Sequence, residues 1–338
     1  MGILDRLKGS PLPARHEQAV RKQYEKLQAE RRNRFRVLVS LRDGESMYVV
    51  RMAAHLADCP TCDIVLLFVR PVDRSGGVHV KLARQNMLEA GIELPGLRLL
   101  REALDVLRAE LNLPPIEECK SSMLHTEAWG DSAGDNKITF TCPDGRQVVL
   151  KLKVAPEIAS GILDQYELGP YNLIILGEPR RWKRSGLWLL FHHVVAERVL
   201  ALAPCSVMIA RDSLKKKGFF ICTDGTARSM NAVRRAAVLA HEAGEEIVLF
   251  SVAPTRKELK KARQAVEDAR ELLQTLDIPV KDTKVAIGDP VEKICEHGDR
   301  YQAIVVSDEG RSRWHRILFG STASEVARRA RTSVLDVR

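Results

Sequence analysis

Two short texts occur twice in this chain, in the same order and at a fixed spacing. Ala53 to Ala57 (AAHLA) and Ile64 to Val69 (IVLLFV) return as Ala236 to Ala240 (AAVLA) and Ile247 to Val252 (IVLFSV), both 183 residues later (236 − 53 and 247 − 64). Ala196 to Arg211 (AERVLALAPCSVMIAR) returns as Ala323 to Arg338 (ASEVARRARTSVLDVR), 127 residues later (323 − 196). A conserved order of apolar segments at fixed spacing marks a duplicated unit. Each unit reads strand, helix, strand with short links, the pattern of a parallel sheet covered by helices. Two doubly wound α/β domains of five strands are therefore expected, with boundaries at 34–212 and 213–338 and a basic arm over 1–33.

The offsets differ by 183 − 127 = 56, so the first copy carries 56 more residues between its second strand and its last helix. This insertion falls at about 71–150. Helical stretches are expected over Lys81–Ala90 and Leu97–Leu111, then a polar link at Trp129–Asn136. ITFTCPDGRQVVLKLKV follows and alternates about Pro143, Asp144 and Gly145, which reads as an antiparallel hairpin that extends one edge of the first sheet or forms a flap. The second copy reads cleanly after a linker at Asp212–Gly218: strands at Phe219–Thr223, Ile247–Val252, Thr283–Ile287, Ala303–Ser307 and Ser333–Val337, with helices between them.

At 338 residues, 45% hydrophobic and 29% charged, the chain has the composition of a soluble globular protein. No apolar run approaches the roughly 20 residues of a membrane span, and Met1–Gln18 lacks the apolar core of a secretory signal. A cytoplasmic location is expected. Seven cysteines form no disulfide framework. The C-x2-C at Cys59–Cys62 is read as a plain turn, with a regulatory thiol pair as the alternative. Of the net charge of +9, residues 1–34 supply nine Lys or Arg against four Asp or Glu. This arm is a solubilising or packing helix over Glu17–Arg34, or a contact for an anionic partner.

Ligands of open parallel sheets bind at the C-terminal ends of strands, where strand order reverses. Three loops of the second copy reach that edge. CTDGT places Asp224 before a helix, where it either binds an adenine amino group or ribose hydroxyl or caps the turn. SVAP places Val252 beside it as support for a purine ring or as ordinary core. In VVSDEG and the residues after it, Gly310 and Gly320 bracket nine residues, and Ser321 and Thr322 follow at a helix start. Such a loop lets backbone amides approach a phosphate.

Together CTDGT, AIGDP (Ala286–Pro290) and the VVSDEG loop with nine residues before GST resemble the universal stress protein family, whose nucleotide-binding members carry G-x2-G-x9-G-[ST]. The resemblance covers 217–338 and, more weakly, 34–211, so the chain looks like a tandem universal stress protein with an adenine nucleotide alpha hydrolase-like, Rossmann-like fold. It implies adenine or ribose contacts at Asp224 and Val252 and phosphate contacts at Gly310, Gly320 and Ser321, with Val306, Ser307 and Thr322 also in the nucleotide site. ATP, with magnesium as companion ion, is the implied ligand. It also implies pairing through last strands, here SVMIAR against SVLDVR within one chain, or a homodimer.

Departures from the family pattern are specific. Ser307 stands where the motif has its first glycine, and Asp308 and Glu309 follow it, carboxylates that repel a triphosphate unless they turn away or hold a metal ion. In the first copy the matching loop places His193 and Val194 where glycine and serine belong, and SLRDGES is one residue longer before Asp43. The first copy is thus read as degenerate, with a structural or regulatory role. No metal site is expected at His192 and His193. The basic Trp-containing loops, RRWKRSGLW and GRSRWHR, belong to no recognised nucleic-acid module, so a nucleic-acid partner is not expected. No Walker A lysine or nucleophile elbow is present. A nucleotide-binding signalling protein with an unidentified protein partner is the leading reading. A slow metal-dependent hydrolase using Asp308 or Glu309, and a scaffold with empty crevices, are the rivals.

Overall fold

The computed structural model describes residues 34–42, 47–72, 96–128, 131–164, 171–179, 195–307 and 322–338. Contacts divide the chain into Met1–Phe35 and Arg36–Arg338. Apart from the first residue of β1, every element below belongs to the second unit. The basic arm, the Lys81–Ala90 helix and the turn at Asp43 and Gly44 lie outside the described residues, as do His192, His193 and both Trp-containing loops.

The first half runs β1 (Phe35–Leu41), α1 (Tyr48–Leu56), β2 (Cys62–Pro71), α2 (Leu97–Leu111), β3 (Lys120–Ala128), β4 (Asp131–Thr141), β5 (Gln147–Ala155), α3 (Ile158–Leu163), β6 (Leu173–Gly177), α4 (Val195–Leu202) and β7 (Ser206–Ala210). The second half continues with β8 (Phe219–Cys222), α5 (Ala227–Glu242), β9 (Ile247–Ala253), α6 (Leu259–Gln274), β10 (Asp282–Ile287), α7 (Pro290–Gly298), β11 (Ala303–Ser307), α8 (Thr322–Arg329) and β12 (Ser333–Val337).

All twelve strands join one sheet, in the order β10-β9-β8-β11-β12-β7-β6-β1-β2-β5-β4-β3. Counted within each half, both groups of five have the order 3-2-1-4-5, with β5 in third place in the first half and β10 in the second. Within each group the pairings are parallel. The central strands read as near-continuous apolar runs because helices cover both faces of a parallel sheet: β1 is buried without a break from Val37 to Leu41, with Ser40 as the small polar residue in the run. Phe220 and Phe250 anchor the second half, with ring centroids 4.6 Å apart, and Tyr301 stacks on Phe220 at 5.0 Å.

The predicted hairpin is β4–β5, turning at Pro143–Gly145, where Gly145 adopts φ +86°. It extends the edge of the first group and β5 also pairs with β2. Two corrections concern the insertion. Asp131–Asn136, expected as a polar link, belongs to β4, and Lys120–Ala128, for which no element was expected, forms edge strand β3. From Lys120 to Glu127 every residue of β3 is exposed, Met123 at 76% and Leu124 at 61%. A strand wet on both faces carries no alternation of polarity for sequence reading to find.

The halves meet where β7 and β12 pair antiparallel, in the register Val334↔Ile209, Leu335↔Met208, Asp336↔Val207. Adding 127 to the first-half partner and subtracting it from the second returns the same three pairs, so a pseudo-twofold axis passes through Leu335 and Met208. The flanking contacts obey it. The Arg211 N–H donates to Ser333 Oγ at 3.0 Å and the Arg338 N–H to Ser206 Oγ at 3.3 Å. Arg211 Nη2 donates to Ala327 O at 2.7 Å and Nη1 to Thr332 O at 2.9 Å, while Arg338 Nη1 donates to Ala203 O. Each arginine thus satisfies carbonyls around the C-terminus of the opposite half's last helix, where positive charge is favoured. Arg211 is buried and also pairs with Glu178 at 2.8 Å.

Removing one partner of a buried, hydrogen-bonded ion pair costs about 3–5 kcal/mol. Arg211→Met is predicted to lower the unfolding free energy by that amount, read as a lower urea midpoint at unchanged slope; an unaltered midpoint would remove Arg211 from the joint.

Candidate functional site

The site lies at the C-terminal ends of β8, β9 and β11, where strand order turns between β8 and β11. Cys222, Thr223 and Asp224 continue β8, Ser251 and Val252 end β9, and Val306 and Ser307 end β11. Thr322 opens α8 and Pro290 opens α7. These residues, with Ser229, Phe250, Pro254, Glu258, Lys261, Ala262 and Ile294, line one pocket of about 230 Å³.

Local chemistry explains the CTDGT loop. The Thr226 N–H and Oγ1–H both donate to Asp224 Oδ1, at 2.9 and 2.7 Å. Thr226 in turn caps α5, accepting the Ser229 N–H at 3.3 Å. Gly225 sits at φ +78°, and an added Cβ would stand 3.0 Å from the Ala265 Cβ of α6, so both conformation and space favour glycine. Burial alone would raise the Asp224 carboxyl. Hydrogen bonds from the Ser229 and Thr226 side chains and from the Thr226 and Asp224 backbones outweigh it and hold the group below the ordinary carboxylate range. Asp224 organises the turn and also lines the pocket.

Five expected site residues, Asp224, Val252, Val306, Ser307 and Thr322, meet at this pocket. Gly310, Gly320, Ser321, Asp308 and Glu309 fall in 308–321, outside the described residues, although Ser307 and Thr322 on either side of that segment both line the pocket. Phe250, Val252, Ile294 and Val306 form an apolar wall. Glu258 and Lys261, at the start of α6, add charges of both signs that the sequence reading did not single out. Their signal was weak, because they stand one and two helical turns beyond SVAP in a run of charged residues. AIGDP has a visible local role: Asp289 accepts the Glu292 N–H at 2.9 Å, caps α7 and sets Pro290 at its first position.

The corresponding edge of the first half is crossed by the protein's own groups. Arg42 Nη2 donates to Glu178 O at 3.1 Å, and the Glu178 N–H donates to Tyr48 Oη at 3.1 Å. Among the described residues no cluster of three or more His, Cys, Asp or Glu is placed to hold a metal ion. No helix among them is long and apolar enough to cross a membrane.

Cys59 and Cys62, expected as a plain turn, form a disulfide. Their Cα atoms stand 5.4 Å apart, inside the range a disulfide needs. The turn that replaces HEAG of the second copy brings them together, with the Cys62 N–H donating to Cys59 O at 3.0 Å.

Residues 219–338 match the universal stress protein family. A universal stress protein from Archaeoglobus fulgidus DSM 4304 aligns with 90% of this chain and 96% of its own, at 16% identity and a TM-score of 0.54. A functionally unknown protein from Pseudomonas aeruginosa PAO1 aligns with 91% of this chain and 94% of its own, at 15% identity and a TM-score of 0.51. A universal stress protein in complex with cAMP aligns with 36% of this chain and 97% of its own, at 24% identity and a TM-score of 0.33. No curated protein sequence matches. The likeness over nine-tenths of the chain is one of fold, a mixed α/β architecture about a large central sheet.

Thr226→Ala removes the side-chain cap of α5 and one of the bonds holding Asp224, that from Oγ1–H, while the backbone N–H still donates. It is predicted to cost about 1 kcal/mol and to return the Asp224 titration toward the ordinary value near 3.9. The stabilisation from a lowered carboxyl is present above the unfolded pKa and is lost as pH falls through the folded one. Carboxyl-detected NMR titration checks this, and an Asp224 titration equal in parent and variant would contradict it.

Proposed function

We propose that the second half binds an adenine nucleotide in this pocket, ATP above all, and that the chain is a tandem universal stress protein whose first half has lost the site. The observation that carries the reading is convergence: Asp224, Val252, Val306, Ser307 and Thr322, spread over a hundred residues of sequence, line one pocket at the switch point of the sheet. An open parallel sheet binds its ligand there. The family match over 219–338 supports the same ligand class. The complex with cAMP belongs to that other protein, and the reading for this chain rests on its own pocket.

In this reading the apolar wall of Phe250, Val252, Ile294 and Val306 receives the purine, and Asp224 accepts a hydrogen bond from a ribose hydroxyl or the adenine amino group. The low Asp224 pKa keeps it an acceptor throughout the neutral range. Phosphates extend toward Ser307 and Thr322, where the first amides of α8 and the glycines at 310 and 320 supply donors. Lys261 supplies a cation from the α6 side. Magnesium, where present, answers the carboxylates Asp308 and Glu309. The first half, with Arg42, Tyr48 and Glu178 bonded across its own edge, serves pairing or regulation.

The experiment is isothermal titration of the whole chain with ATP, ADP and AMP. The expected result is one site per chain, abolished by Gly320→Asp, which places a side chain and a negative charge in the phosphate loop. No heat from the parent protein at millimolar nucleotide would reject the proposal in favour of a scaffold. Magnesium-dependent product formation lost in Asp308→Asn or Glu309→Gln would favour the hydrolase.

A further inference from the structure

Four of the chain's seven cysteines gather at one end of the first sheet group. The register places three of them in a row with Arg146. β2 pairs with β5 as Ile64↔Val148, so Cys62 stands opposite Arg146. β5 pairs with β4 as Gln147↔Thr141, which sets Cys142 opposite Arg146, and the Cys142 N–H donates to Arg146 O at 2.9 Å. β4 pairs with β3 as Thr141↔Lys120, which sets Cys119 opposite Cys142. Across the strand ends the order is Cys62, Arg146, Cys142, Cys119. The first member is already bonded to Cys59. The last two are free thiols with sulfurs 3.6 Å apart.

We propose that Cys119 and Cys142 form a thiol–disulfide exchange site, whose substrates are low-molecular-weight disulfides and whose product is a second disulfide joining β3 to β4. Geometry permits the bond without moving the backbone. Residues directly opposite in an antiparallel pair have Cα atoms about 4.5–5.5 Å apart, within the range of about 4.4–6.8 Å for disulfides. The sulfurs need close by about 1.5 Å to reach the bonded length, which side-chain rotation supplies.

The two thiols differ in the way an attacking and a resolving cysteine must. Cys119 is half-buried and within reach of a small molecule, whereas Cys142 is buried. Burial, then the hydrogen bond and charge of Cys119 and the charge of Asp144, push the Cys142 thiol up to about 12, with the Arg146 guanidinium acting against them. Arg146 is itself buried, with Nε and Nη1 making no hydrogen bond and the nearest carboxylates, Asp58 and Asp144, both at 3.8 Å. It is placed to favour negative charge on Cys142 once Cys119 has reacted.

The step balances. The Cys119 thiolate attacks one sulfur of the disulfide RSSR, the S–S bond breaks, and RS⁻ leaves and is protonated. Cys142 then attacks the Cys119 sulfur, expelling the second RS⁻, which takes the Cys142 proton. Two thiols lose two electrons and two protons, and RSSR becomes two RSH. The new bond ties the edge strand, exposed on both faces, to the sheet. The site is independent of the nucleotide pocket, so the two proposals stand or fall separately.

Incubating the full chain with glutathione disulfide, alkylating the remaining thiols and mapping peptides by mass tests the proposal. Free thiols should fall from five to three, with one new linked peptide pair, Cys119–Cys142. Cys142→Ser should instead hold glutathione on Cys119, and Cys119→Ser should leave Cys142 fully alkylated. A Cys59→Ser, Cys62→Ser double variant should still form the link. A parent chain that keeps glutathione on Cys119, or in which both thiols stay free while the fold is intact by circular dichroism, would overturn the proposal.

Discussion

Everything in the chain from Arg36 onward hangs on the antiparallel pairing of β7 with β12. It turns two five-stranded groups into one sheet and closes an edge of each that would otherwise present unpaired backbone to solvent. The pairing is self-complementary in the sense of a twofold dimer. The register maps onto itself under the 127-residue offset, and the arginine that ends each half reaches carbonyls of the other. What a dimer achieves between chains is achieved here within one, at a fixed local concentration.

The joint also determines where chemistry can occur. β12 lies beside β11, whose C-terminal end, Val306 and Ser307, forms part of the pocket. α8 begins at the pocket with Thr322 and ends at the joint, where Ala327 receives Arg211. One helix therefore has its N-terminus at the candidate site and its C-terminus tied to the first half. In the first half, Arg42, Tyr48 and Glu178 bond across the matching edge, and Glu178 also holds Arg211. Through Glu178 this edge of the first half supports the joint.

Much of this was legible in sequence for a physical reason: buried parallel strands and the helices over them write strong periodic signals, and two halves of the same strand order carry them. The strands of the second half and the β4–β5 hairpin followed from such signals, whereas the pairing of SVMIAR with SVLDVR came from the family resemblance. β3 did not, because neither of its faces is buried and KSSMLHTEA has no alternation. Asp131–Asn136 read as a link because its polar residues and Gly134 resemble loop composition. Glu258 and Lys261 belong to a charged helical surface whose orientation toward the pocket depends on tertiary packing. The C-x2-C at Cys59–Cys62 reads as a plain turn or a thiol pair, because the closeness that bonds the two depends on how the turn folds, and the approach of Cys119 to Cys142 depends on the register of an unexpected strand.

The central claim is that the pocket is a nucleotide site in one half alone. The most direct measurement is backbone amide chemical-shift mapping of the whole chain during ATP addition. The account predicts saturable shifts at Thr223, Asp224, Val252, Ser307 and Thr322, with none of comparable size at Gly177 and Glu178. Shifts confined to the first half, or none at millimolar ATP, would contradict it.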